Sequence, residues 1–158
     1  MSAQFSTAHG PHLDSAAPEI YGAMNQVAQK LQELVGERGL DPQLLEIAFV
    51  RASQLNGCTA CLSVHGPKAR ESGIAQEKLD LLPAWREGTA FSDKEKATLE
   101  LTEHLTKLPA GTRHSDAVVR AGEFFSEDEL VALEWGIIVI NAFNRISIAS
   151  GHDPIPQS

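Results

Sequence analysis

The sequence from Glu46 to His65 reads EIAFVRASQLNGCTACLSVH and predicts two helices separated by one break. Apolar residues recur at helical spacing before the break, and an Asn-Gly pair then interrupts the pattern. A second helix that begins at Cys58 would place Cys61 and His65 on the same face, because residues three and four apart are neighbours on a helix. That spacing also allows a disulfide between the two cysteines. The stretch therefore predicts a helical hairpin whose second helix carries three reactive side chains.

Helical patterns continue on both sides of this hairpin. Several local signals mark helix starts and stops, among them Asp41-Pro42 and the capping boxes that begin at Ser92 and Ser126. The predicted helices span residues 18–35, closed by Gly36; 42–55; 58–72; 76–86, split by Pro83; 92–108; a short helix after Ser115; and 127–150. We therefore expect an all-α fold, a compact bundle of about six to seven helices.

The last predicted helix is apolar on nearly every side. Its run Ile137-Ile-Val-Ile140 has the β-branched composition of a buried strand, but residues 130–149 are too long a segment for an ordinary strand. A helix that is apolar all round needs cover on both faces, which one small domain supplies with difficulty. The pattern therefore predicts a homo-oligomer, a dimer, trimer or hexamer, in which a second subunit covers part of this helix.

Composition and length indicate one globular domain. The chain has 158 residues, a formal net charge of -8 and 42% apolar residues, which suits a folded domain that needs no metal or disulfide to fold. We expect residues 1–14 to form a mobile N-terminal segment, residues 15–152 the domain, and residues 153–158 a short tail.

The charge pattern and the N-terminus also exclude several classes of partner. The chain has no run of five or more Lys and Arg residues, so neither nucleic acid nor an anionic membrane is an expected partner. The N-terminus lacks the basic and apolar regions of a secretory signal, and the most apolar run, residues 135–142, is shorter than a membrane span. We therefore expect a cytoplasmic protein. In that reducing compartment, the C-x-x-C pair is a reactive site more often than a structural disulfide.

The position of the cysteines at a helix start favours thiolate chemistry. Unpaired backbone N–H groups and the helix dipole stabilise a negative charge there, which lowers the pKa of a thiol. When protonated, His65 would stabilise a Cys61 thiolate further, and when neutral it could accept the thiol proton. Cys58 could then resolve an oxidised Cys61 as a disulfide.

Glu46 lies on the first helix of the hairpin and is expected to meet His65. Glu46 precedes Gly57 by 11 residues and His65 follows it by eight. If the chain folds back at Gly57, this offset of three residues is only about 4–5 Å along the helix axis. The hairpin therefore predicts a contact between the Glu46 carboxylate and the His65 ring.

Taken together, these features resemble a known family. Glu46-x11-Cys58-x2-Cys61-x3-His65, with the flanking words RASQLNGC, INAFNR and PAWRE, is similar to the alkylhydroperoxidase AhpD-like branch of the carboxymuconolactone decarboxylase family, over about residues 15–150. The resemblance implies an AhpD-like, oligomeric, all-helical enzyme of peroxiredoxin type that reduces hydroperoxides. It also implies that Cys61 is the peroxidatic thiol, Cys58 its resolving partner, and Glu46 with His65 a proton relay. One departure is Pro67, which interrupts the helix that follows the cysteines.

Other interpretations of the cysteine pair remain open. Two small buried residues could stand three apart by chance, and zinc could take Cys58, Cys61, His65 and Glu46, although these ligands splay widely for a tetrahedral site. A Cys-His hydrolase would leave the second cysteine without a role. A protein disulfide reductase, or a redox-sensing module without peroxide turnover, would use the same pair.

The remaining motifs are expected to be structural. The sequence contains no nucleotide- or flavin-binding loop, so we expect no cofactor, a hydroperoxide as substrate, and an external dithiol or thiol protein as reductant. The other histidines have no partner pattern and are expected at the surface or in hydrogen-bonded packing. The acidic residues along 92–103 and 123–134 are expected to be solvated or to cap helices, not to bind a metal. Buried Asn141 and Asn144 must be hydrogen-bonded, and the pattern favours a role for them at a subunit interface.

Overall fold

A computed structural model of the protein describes residues 10–157. In that part of the chain the regular elements are helices and no strand is present, which confirms the predicted all-α class. The elements are α1 (Leu13–Ala16), α2 (Pro18–Arg38), α3 (Pro42–Asn56), α4 (Thr59–Glu71), α5 (Gln76–Leu81), a 3-10 turn (Leu82–Ala84), α6 (Asp93–Lys107), α7 (His114–Ala121) and α8 (Glu127–Ser150). The expected bundle thus gains one short helix, α1, at its N-terminal end.

Most predicted helix boundaries match the structure, but the end of α2 does not. Gly36 was expected to close this helix, yet α2 continues to Arg38 and ends at Gly39, whose φ of 71° is left-handed. The Gly39 N–H donates to the Val35 carbonyl, and Leu40 beyond it is buried. The helix therefore ends where the chain can turn and bury Leu40. Gly36 is an exposed position inside the helix.

Helix α4 continues through Pro67, the residue expected to interrupt it. A proline inside a helix cannot donate to the carbonyl four residues earlier, which here belongs to Ser63. The Gln157 side chain donates to that carbonyl at 3.0 Å. The tail thereby provides the hydrogen bond that the proline cannot make.

Helix α3 lies at the centre of the bundle and contacts α4, α6 and α8. One apolar core joins α3 to α2, α6, α7 and α8, and a second joins it to α4, α5 and α6. The crossing of α3 with α8 is very close, because a Cβ atom on Gly136 would overlap the Leu45 side chain. The hairpin that carries the cysteines is therefore anchored on its α3 side by both cores.

Hydrogen bonds between buried and partly buried polar side chains join α8 to α3. The Asn56 amide donates to the side-chain oxygens of Asn141 (2.8 Å) and Asn144 (2.9 Å), and Asn144 donates to Ser53 Oγ at 3.0 Å. Asn141 also donates to Thr106 on α6. These bonds lie within one chain, so Asn141 and Asn144 fasten helices of the same subunit together. The interface role expected for them stays a prediction.

Helix α8 is buried on one side and exposed on the other. Leu133 and Ile137 are fully buried, whereas Trp135 and Ile138 are about half exposed, at 52% and 46%. By its length and mean hydropathy, α8 is long and apolar enough to cross a membrane. This is weak evidence of a span, because one side of α8 is packed in the apolar core of the bundle.

The two ends of the described chain meet at the end of α8. The Leu13 N–H donates to Ser150 Oγ at 3.0 Å, which holds α1 against α8. Residues 1–9, most of the segment expected to be mobile, lie outside the described residues. The domain bounds given above stay a prediction.

Candidate functional site

The hairpin of α3 and α4 places both cysteines at a helix start. Gly57 ends α3 in the left-handed conformation, with φ 68°, and Cys58 is the N-cap of α4. Cys58 and Cys61 form a disulfide with Cα atoms 5.3 Å apart. The Cys61 N–H donates to Cys58 Sγ at 3.3 Å. One backbone N–H of the first turn is thus directed at the Cys58 sulfur, the kind of contact that stabilises a thiolate.

Glu46 and His65 are in direct contact across the hairpin. His65 Nδ1 and Glu46 Oε2 lie 3.0 Å apart, and both side chains are about 15% exposed, at 15% and 14%. Phe49 packs its ring against the His65 ring at 4.8 Å between centroids. The carboxylate fixes one ring nitrogen of His65 and leaves the other available for proton transfer. This is the contact that the fold-back at Gly57 predicts.

A cleft of about 930 Å³ contains Cys61, His65 and Glu46 together. Its walls come from α2, α3, α4 and α8, and much of the lining is apolar, including Leu31, Phe49, Val139, Ile140 and Phe143. Three of the four residues predicted for the site therefore open on one cavity. Whether these residues are catalytic stays a prediction.

Cys58 faces a different part of the surface. It is 1% exposed, against 7% for Cys61, and it lines a smaller cleft of about 270 Å³ between the start of α4 and the end of α8. The large cleft includes Cys61 and does not include Cys58. The two bonded cysteines thus line two adjoining clefts, which share lining residues such as Ala60 and His152.

The C-terminal tail lies beside the cysteines. The Ile155 N–H donates to Ser63 Oγ at 2.9 Å, and Asp153 and Ile155 both line the large cleft. Ser63 stands two residues after Cys61. The tail therefore forms part of the wall of the cleft that contains Cys61.

The Glu103 carboxylate accepts hydrogen bonds from three side chains, and the sequence does not indicate this network. Its Oε1 accepts from the Trp85 indole at 2.8 Å and from Arg51 at 2.8 Å, and Oε2 accepts from Arg86 at 2.7 Å. Burial raises the pKa of Glu103, but these three donors outweigh it and hold that pKa below its ordinary value. The expectation that the acidic residues along 92–103 are solvated is wrong for Glu103, whose side chain is 12% exposed.

The structure also brings histidines together in two groups that the sequence does not indicate. His104 and His114 lie 3.3 Å apart through their Nδ1 atoms, and His114 pairs with Glu134. His12, Asp14 and His152 form a second group beside the large cleft, with one donor atom from each within 4.8 Å of the others. Only the tertiary structure brings residues 12 and 152 together, so no local spacing in the sequence could indicate this group.

The sequence relatives are uncharacterized proteins. YdfG of Bacillus subtilis is 33% identical over 127 residues, which cover 80% of this chain and 86% of YdfG. Rv2313c of Mycobacterium tuberculosis is 27% identical over 116 residues, which cover 73% of this chain but only 40% of Rv2313c.

A solved structure shares the fold. It is the crystal structure of a protein of unknown function from Agrobacterium tumefaciens, described as a candidate antioxidant defence protein AhpD. It matches 91% of this chain and 96% of its own chain, with a TM-score of 0.81 and 27% identity. The expected AhpD-like fold is therefore confirmed.

Residues 18–104 match the carboxymuconolactone decarboxylase family. The matched part runs from the start of α2 into α6, so it contains the whole α3–α4 hairpin with Glu46, both cysteines and His65. From this match and the likeness to YdfG, the chain belongs to the carboxymuconolactone decarboxylase family.

Proposed function

We propose that the protein is a thiol-dependent peroxidase that reduces alkyl hydroperoxides, with Cys61 as the attacking thiolate. The observation that carries this proposal is the placement of the two sulfurs. Cys61 lines the cleft that holds Glu46 and His65, whereas Cys58 lines the smaller cleft beside it. A substrate in the large cleft would meet Cys61 first.

The proposed cycle has three balanced steps. The Cys61 thiolate attacks one oxygen of the O–O bond of ROOH, which forms a Cys61 sulfenic acid and releases RO⁻, protonated to ROH by His65. The Cys58 thiol then attacks the sulfenic sulfur, which forms the Cys58–Cys61 disulfide and releases water. An external dithiol reduces the disulfide and is itself oxidised to a disulfide.

The hydrogen bond between His65 and Glu46 supports the role of His65 in proton transfer. The ring accepts the Cys61 thiol proton before attack and returns a proton to the leaving alkoxide. The neighbouring carboxylate orients the ring and stabilises its charged form between these two events. Neither group needs a metal or an organic cofactor for this chemistry.

The lining of the cleft favours an organic hydroperoxide. Leu31, Val139 and Phe143 offer apolar surface to an alkyl or aryl group, which hydrogen peroxide lacks. The antioxidant description of the Agrobacterium protein agrees with this class of substrate.

Steady-state peroxide consumption tests the proposal. With cumene hydroperoxide and dithiothreitol, the wild-type protein should turn over, and Cys61→Ser should lose steady-state turnover. Undiminished turnover in Cys61→Ser would refute the mechanism. If peroxide is inert while an oxidised partner protein is reduced, the disulfide reductase takes its place. Stoichiometric oxidation of wild type without turnover would point to a redox sensor.

A further inference from the structure

We propose that His12, Asp14 and His152 bind a divalent first-row transition metal ion, at a site separate from the cysteine pair. Two imidazoles and one carboxylate are a donor set that zinc, iron and nickel accept. The three donor atoms all lie within 4.8 Å of one another. Donors bound to one zinc ion at about 2.0–2.2 Å lie roughly 3–4 Å apart, so a movement of about 1 Å would close the site.

One oxygen of the Asp14 carboxylate has no hydrogen bond, although the side chain as a whole is 32% exposed. Its Oδ1 is shielded from solvent, and none of the described residues gives it a hydrogen bond of acceptable geometry. His152 Nε2 lies 3.3 Å from this oxygen, at ion-pair distance. A metal ion between His152 and Asp14 would give this shielded oxygen a partner.

The orientation of His152 also suits a ligand. Its Nδ1 faces Ser147 Oγ at 3.3 Å, which leaves Nε2 directed at Asp14. A histidine that binds a metal through one ring nitrogen usually donates a hydrogen bond from the N–H of the other nitrogen to a neighbouring group. That bond fixes the orientation and the tautomer of the ring. The His12 ring stacks on the His152 ring, with 10° between planes and 5.8 Å between centroids.

Both sides of the site are held by the fold. Gly151 ends α8 in the left-handed conformation, and the His152 N–H donates to the Ser147 carbonyl at 3.1 Å. On the other side, Leu13 lies between His12 and Asp14, and its N–H is bonded to Ser150 at 3.0 Å. The ligands are therefore carried by two segments that already contact each other.

The site adjoins the reactive cleft, because Asp14 and His152 line the same cavity as Cys61. A bound ion would join the N-terminal helix α1 to the end of α8 at the wall of this cavity. With three protein ligands it would keep at least one coordination position for water or another small ligand.

Zinc titration of the full-length protein in its disulfide form tests the site, since the oxidised cysteines cannot compete as thiolate ligands. Calorimetry should find one zinc ion per chain. Asp14→Asn and His152→Ala should each weaken binding by at least about tenfold, the lower end of what even an outer-shell partner contributes. The control His104→Ala, in the other histidine group, should bind as wild type does.

Thermal unfolding provides a second readout that does not depend on enzymatic activity. Zinc should raise the unfolding temperature of wild type and of His104→Ala but not of Asp14→Asn, because only a ligand of the native state stabilises it. The proposal is overturned if wild type binds no zinc, or if Asp14→Asn, folded by circular dichroism, binds as wild type does. Binding that is lost in His65→Ala and kept in His152→Ala would place the ion at the cysteine hairpin and also overturn it.

Discussion

Single side chains set the chemistry of the site, and the contact between Glu46 and His65 is the first that can be tested. Replacing Glu46 by Gln keeps the size of the side chain but removes the negative charge 3.0 Å from the ring. We expect peroxide reduction to slow by about 100-fold, the lower end of what general acid–base catalysis contributes. Stopped-flow oxidation of reduced protein across a pH series measures this.

Glu33→Gln, an exposed position on α2, is the matched control and should react as wild type does. An unchanged rate and pH profile in Glu46→Gln would remove the carboxylate from the proposed relay.

At the same scale, Glu103 makes stability depend on pH. Its pKa is lowered in the folded protein, because donors from Trp85, Arg86 and Arg51 outweigh the effect of burial. The stabilisation is therefore complete above the ordinary carboxyl value of 4.5 and is lost as the pH falls through the lower folded value. Glu103→Gln should lower the free energy of unfolding by about 1.5–3 kcal/mol at pH 7.

Urea unfolding at several pH values measures this loss. The difference in free energy of unfolding between Glu103→Gln and wild type should shrink below pH 4.5. A difference that stays constant down to acid pH would show that the ionised carboxylate is not its cause.

At the scale of elements, the close crossing of α3 and α8 depends on a glycine. Gly136→Ala would push a methyl group into Leu45 and should lower the free energy of unfolding by about 1–3 kcal/mol. Gly22→Ala is the control, because nothing lies near a Cβ atom at that exposed position of α2. It should stabilise the protein by about 0.5–1 kcal/mol through helix propensity. If Gly136→Ala and Gly22→Ala change the free energy of unfolding equally in chemical denaturation, the close approach of Gly136 to Leu45 is contradicted.

Local signals in the sequence account for most of the elements. Both capping boxes, at Ser92 and Ser126, form as the spacing predicts, because each requires only residues three positions apart. The end of α2 was predicted wrongly, because Gly36 and Gly39 carry the same local signal and only the burial of Leu40 decides between them.

In the candidate site, too, contacts between residues close in sequence could be predicted, and contacts made only by tertiary packing could not. The meeting of Glu46 and His65 could be predicted, since one turn joins their helices. Glu103 with Arg51, and His12 with His152, could not be predicted, because their partners lie 52 and 140 residues apart and only the packing of several helices brings them together.

At the scale of the whole molecule, the exposed side of α8 predicts assembly. Trp135 and Ile138 lie three residues apart on one side of the helix and are about half exposed. We expect light scattering to give a mass of more than one chain for wild type and a smaller mass for Ile138→Glu. Val119→Glu, an apolar position 73% exposed on α7, should leave the mass of the assembly unchanged. A monomeric wild type would contradict the interpretation of α8.

The central claim is that Cys61 is the sulfur that peroxide oxidises. Cys58→Ser removes the resolving thiol, so a sulfenic acid formed on Cys61 should persist after one equivalent of cumene hydroperoxide. Trapping with dimedone followed by peptide mass spectrometry should then find about one adduct per chain, on Cys61. The absence of an adduct in reduced, folded Cys58→Ser, with the peroxide unconsumed, would contradict the proposed mechanism.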